Sequence, residues 1–112
     1  MFSTREIPKS EWTAFFNDFS RKNEGRGVTL EVFGPELGDQ VEERDFFLSG
    51  IAAEVGNGRN AIEIMMGGSP SRHLTHVIKN PTKVGLEKLV PGTTGALQIT
   101  SADGTTSLLH LL

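Results

Sequence analysis

"WTAFFNDFSRKNEGRGVTLEVF", residues 12–33, changes its hydrophobic period half-way along. Trp12, Phe15, Phe16 and Phe19 recur at i, i+3, i+4 and i+7, the spacing of one helical face, with Thr13, Asn17, Asp18 and Arg21 on the other side. After Gly25 and Gly27 the repeat becomes two: Val28, Leu30 and Val32 alternate with Thr29, Glu31 and Phe33. An aromatic-faced helix therefore leads directly into a strand. Pro8 suits a first helical turn and Ser10 offers a capping hydroxyl, so the helix is expected over about residues 8–23. Large rings in one stripe are core residues, since burying each contributes about 2 to 3 kcal/mol. The helix must lie on an apolar surface.

The strands that follow supply that surface. "FFLSGIAAEV" and "AIEIMM" flank "GNGRN", a hairpin connection, while "GPELGDQVEER", residues 34–44, reads as a polar turn region. "HLTHVIKN" and "KVGLEKLV" are separated by Pro81, which lacks an N–H and so marks an edge strand or a strand broken in two. "ALQITSADGTTSLLHLL" closes the chain as a hairpin. A two-residue Asp103-Gly104 turn would set His110 on the face of Leu97. A three-residue turn over Ala102-Asp103-Gly104 instead gathers Leu97, Ile99, Leu109 and Leu111 and sends His110 outward with Gln98. Hydrophobic consistency favours the second register. It also turns Leu108 outward, which requires either that the helix cover that face or that the face associate with another molecule. One helix followed by six or seven strands is an α+β pattern. The expectation is a single domain over residues 1–112, with an N-terminal amphipathic helix packed on a strongly bent antiparallel sheet or partly open barrel of 5–7 strands.

Composition narrows the function. The 112 residues contain no cysteine, which excludes disulfides, thiolate metal sites and a Cys nucleophile, and nothing points to an oxidising compartment, so a soluble cytoplasmic protein is the default expectation. No stretch has the length of apolar sequence that a membrane-spanning helix needs. A net charge of −3 argues against a chain built to neutralise phosphates, so nucleic acid is not the expected partner. The charge is unevenly placed: residues 31–63 carry −6 and residues 72–88 carry +3. Such halves are either solvated faces or a self-complementary oligomer contact.

"REIPKSEW", "GPELGDQVEERD", "HLTHVIKNP" and "SADGTT" together resemble an uncharacterised family of small bacterial proteins. That resemblance implies no activity, substrate or cofactor. The layout of helix and curled sheet is also similar to Sm-like barrels, as a fold-level analogy. The loops "GNGRN" and "GGSPSR" do not carry the Sm-like RNA-binding pattern, so no RNA contact is carried over.

The residues with chemical potential are Arg72, His73, His76 and Lys79. On a helix the two imidazoles would share a face and could share a metal; on a strand an odd spacing sends them to opposite faces. Thr75, Val77 and Ile78 between a Gly-Gly-Ser-Pro break and Asn80-Pro81 favour the strand. No metal site or cofactor is expected from these residues. "GGSPSRH" could offer backbone N–H groups and Arg72 to an anion, but it lacks the lysine and following helix of a phosphate loop. The expected function is a small non-enzymatic interaction or ligand-binding module that associates with itself, its protein or small-molecule partner named by no motif. The alternatives are a small enzyme or anion-binding domain using the Arg72/His73/His76/Lys79 segment and, last, an Sm-like nucleic-acid binder.

Overall fold

The aromatic stripe and the alternating segments meet in a computed structural model that describes residues 2–35, 41–56, 58–68, 72–89 and 93–112. The chain runs through β1 (Phe2–Ile7), a 3₁₀ turn (Lys9–Glu11), α1 (Trp12–Asn23), β2 (Gly27–Phe33), β3 (Val41–Gly56), β4 (Arg59–Gly67), β5 (His73–Lys79), β6 (Pro81–Leu89), β7 (Thr93–Ser101) and β8 (Thr106–Leu111). All eight strands form one antiparallel sheet in the order β1-β6-β7-β8-β2-β3-β4-β5. The α+β expectation holds with one strand more than the 5–7 expected. The extra strand is β1, whose polar "FSTREI" precedes Pro8 and acquires a reason to be extended only from its ladder with β6.

The sheet is not closed, because β1 and β5 stand at its two ends. It is nevertheless strongly curled. Three strands separate β5 from β8, which in a flat sheet would put them about 19 Å apart at roughly 4.8 Å per strand, yet His76 of β5 reaches Ser107 of β8 at 3.0 Å. Part of the bend is built into β3. There Asp45, at φ 64°, is the extra residue of a bulge against β2, and the register shifts again between Leu48 and Gly50 against β4. Bulges of this kind sharpen the local twist and kink the strand.

Trp12, Phe16 and Phe19 of α1 are buried in the concave side, in one cluster with Ile7, Leu30, Ile51, Ile64, Leu97 and Leu109, while Phe15 is partly buried against it. The Trp12 indole N–H donates to the Ile7 carbonyl at 2.9 Å, so its polar edge is satisfied inside the core. The expected Ser10 cap is absent. Glu11 takes the cap position without a side-chain hydrogen bond, and the preceding 3₁₀ turn satisfies its own donor through Glu11 N–H to Pro8 O at 2.8 Å. At the other end Gly25 takes φ 83°, which a side chain would resist, and its N–H bonds Leu48 O.

The helix also seals a sheet edge. β2 pairs with β3 only as far as Gly27 opposite Phe47. Beyond it, the Ser20 hydroxyl accepts from Ile51 N–H at 2.8 Å and donates to Ile51 O at 3.1 Å, replacing the missing neighbour.

The remaining turns follow their residues. Asn80 at φ 52° and Pro81 at the first position of β6 break the histidine segment from the next strand, the two-piece outcome that Pro81 allowed. The last hairpin adopts the three-residue turn: Ser101 N–H bonds Thr105 O, Gly104 sits at φ 88°, and Leu97 faces Leu109. His110 points outward and binds Glu31 of β2. The helix lies on the Leu109 face, so it does not cover Leu108, which is half-buried on the convex side.

Phe16 is fully enclosed, and Phe16→Ala is expected to cost about 3 to 5 kcal/mol through the cavity it leaves. A denaturant titration that shows a loss below about 1 kcal/mol would place the ring outside the core.

Candidate functional site

β5 alternates as a strand. Leu74, His76 and Ile78 turn towards the concave side, and His73, Thr75, Val77 and Lys79 turn away from it. The two histidines therefore point to opposite faces and cannot share an ion. Among the described residues no three His, Asp or Glu side chains form a group that could hold a metal.

The four candidate residues do not form one cluster. Arg72 stacks its guanidinium 4.5 Å from the centre of the Phe46 ring, and His73 is exposed beside it opposite Gly67. Lys79 lies at the other end of β5, about 20 Å away along the strand, beside the cleft that His76 lines. Of the anion-nest reading, Ser69, Pro70 and Ser71 lie outside the described residues.

His76 and Lys79 meet residues that carry no motif. The sheet curl brings the β7–β8 hairpin against β5 and leaves a cleft of about 200 Å³ at the mouth of the fold, lined also by Ser101, Asp103, Thr105 and Ser107. Ala102 N–H donates to Asn80 O at 2.9 Å and Asn80 N–H to Asn60 O at 3.0 Å, which fixes the hairpin tip to the end of β5. The Asp103 carboxylate accepts from Thr105 N–H at 2.9 Å, and that bond holds its pKa below the ordinary value.

At the inner end of the cleft His76 Nε2 and Ser107 Oγ share a hydrogen bond of 3.0 Å. Burial is the cause of the depressed His76 pKa: the charged imidazolium loses hydration without gaining an opposite charge. A neutral imidazole beside a serine hydroxyl has the composition of a base and its nucleophile. Two observations point away from that chemistry. Ser107 is only 2% exposed, and the nearest cleft carboxylate, Asp103, is engaged by the hairpin backbone rather than by the His76 ring. The pair is a clasp between β5 and β8, in which each side chain satisfies the other's buried polar atom.

A second feature lies on the convex side of β3, β4 and β5. Register places Phe47, Gly67 and His73 in one row, Ala52, Glu63 and Val77 in another, and Glu54, Ala61 and Lys79 in a third. Phe47 is 53% exposed and Val77 46%, and the half-buried Met65 sits between their rows. Sequence reading could have found this strip from β-parity, because Met65, Val77 and Phe47 fall in the polar phase of their strands.

A family model described as a family of unknown function (DUF5335) matches residues 3–112, and the chain belongs to that family. It is similar to an uncharacterised protein of Aquifex aeolicus (strain VF5), 27% identical over 109 residues that cover 97% of this chain and 92% of the relative. No solved structure matches.

The clasp makes stability depend on pH. Because the folded His76 pKa lies below the ordinary 6.5, folding favours the neutral ring; the contribution is complete above the unfolded value and is lost as pH falls through the folded one. The melting temperature of the wild type should drop more steeply from pH 7 to pH 5 than that of His76→Gln. Equal slopes would mean that the ring is not desolvated. Ser107→Ala, which leaves His76 Nε2 without its partner, should cost about 1 to 3 kcal/mol at neutral pH.

Proposed function

We propose that this member of the DUF5335 family is a small, non-enzymatic, cytoplasmic interaction module that associates with a second copy of itself through the convex face of β3, β4 and β5. The observation that carries this reading is the exposure of Phe47 and Val77 on one face, joined by Met65 and Ala52. Scattered apolar residues are normal on a protein surface, whereas several on three adjacent strands form a patch whose burial is favourable. Among the described residues no helix is long and apolar enough to cross a membrane.

The charges on this face support a like partner. Glu54 and Glu63 lie on β3 and β4, and Lys79 lies across the same face on β5. A twofold contact that lays β5 of one copy over the acidic strands of the other sets Lys79 against the glutamates twice, as an isologous interface requires. This is the spatial form of the sequence's acidic middle and basic later segment. A mainly phosphate-binding role is disfavoured by the net charge of −3, and an enzymatic one by the enclosure of Ser107.

Sedimentation of the wild type across a micromolar concentration series should show a monomer–dimer equilibrium. Phe47→Glu and Val77→Glu, both at exposed positions, should remain folded by circular dichroism and sediment as monomers. Lys79→Glu should weaken the dimer, and more so at low salt. A wild type that stays monomeric throughout the series, or a Val77→Glu variant that dimerises as well as the wild type, would overturn the proposal.

A further inference from the structure

The parity of β6 contains an anomaly. Val84 and Leu86 turn inward and are buried, and Lys88, two residues further on, occupies the same inward phase. On the neighbouring strand Arg5 stands opposite Leu86, two residues from the buried Ile7, and so continues the inward phase of β1. Two cations thus take the positions next in line after core residues. An inward charge on an edge strand discourages aggregation, which would account for Arg5 on β1. It does not account for Lys88, because β6 is paired on both sides, with β1 and with β7.

These cations face a groove. The helix packs chiefly against β3, and between it and the β1–β6 end of the sheet lies an open cleft of about 400 Å³. Phe15, Phe19 and Leu86 supply its apolar surface, with the two phenyl rings 5.7 Å apart, and Arg5, Lys22 and Lys88 contribute its positive groups. The acids present are already engaged. Asp18 binds Arg21 at 2.8 Å and Lys22 at 3.0 Å, the Lys22 contact being the main reason its carboxyl pKa is lowered, and Glu11 lies 3.9 Å from Arg5. Lys88 is half-buried and has no hydrogen-bond or ion-pair partner among the described residues.

We propose that this groove binds a small amphipathic carboxylate, with its apolar body against Phe15, Phe19 and Leu86 and its carboxylate on the Lys88 ammonium. A volume of about 400 Å³ falls within the range of small-molecule sites, which pair an apolar lining with a few fixed polar groups. A half-buried ammonium without a counter-ion selects an anion, and the aromatic wall selects one with an apolar body. The site is separate from the convex face proposed for self-association and does not depend on it.

The test uses the intact chain and sodium decanoate below its micelle-forming concentration, followed by amide chemical-shift titration. One saturable site is expected, with the largest shifts around Phe15, Leu86 and Lys88. Acetate lacks the apolar body and decyltrimethylammonium has the wrong charge, so neither should reproduce the shifts. Lys88→Met keeps the aliphatic stem and should bind decanoate about tenfold more weakly, the loss of one charge-assisted bond; its unchanged or raised melting temperature would show that it is folded. Phe15→Ser should weaken binding without altering preference for the anion. The proposal is overturned if decanoate gives no saturable shifts, if decyltrimethylammonium binds as well, or if Lys88→Met binds decanoate as tightly as the wild type.

Discussion

The structure depends on how the concave side of a curled sheet is filled. Eight strands whose inner faces carry Leu30, Ile51, Ile64, Leu97 and Leu109 cannot leave that side to water, and the sheet is too strongly bent for a second sheet to cover it. Trp12, Phe16 and Phe19 enter the space from one helix. Interiors pack at crystal-like density, so the ring volumes and the curvature must match. The bend at β3 and the aromatic face of α1 are two parts of one packing solution.

That solution leaves backbone edges to be managed. β3 is 16 residues long and is shared, its first half pairing with β2 and its second with β4. Where β2 departs, Gly25, Arg26 and Ser20 take over its hydrogen bonds. A single serine hydroxyl acting as both donor and acceptor for Ile51 replaces a strand neighbour at that point. Among the described residues no buried side-chain polar atom lacks a partner, and the His76–Ser107 clasp belongs to the same accounting. Its imidazole and hydroxyl are held inside the mouth of the fold, where each supplies the other's hydrogen-bond partner.

The surfaces left over are the ones available for function. The helix is committed to β3 on one side and stands open to β1 and β6 on the other, while among the described residues no other element packs over the convex side of β3, β4 and β5. One surface combines aromatic rings with Lys88, which has no partner among the described residues, and the other combines Phe47, Met65 and Val77 with charges of both signs. The small ligand and the second copy of the chain proposed for them would therefore occupy separate places.

The sequence by itself determined the local terms. The period of Trp12 to Phe19 set the helix, and the alternation after Gly27 set the strands. The parity of "HLTHVIKN" separated His73 from His76, and the apolar phase of Leu97, Ile99, Leu109 and Leu111 chose the final turn. Each follows from a repeat of 3.6 or 2 and needs no distant contact. Tertiary structure alone decided which strands became neighbours. It made "FSTREI" a strand by offering it the edge of β6, brought Ser107 to His76 across 31 residues, and set Lys88 and Arg5 facing Phe15. Spacing along the chain carries no information about such pairings, because they are fixed by the curl of the sheet and by the volume of the rings it encloses.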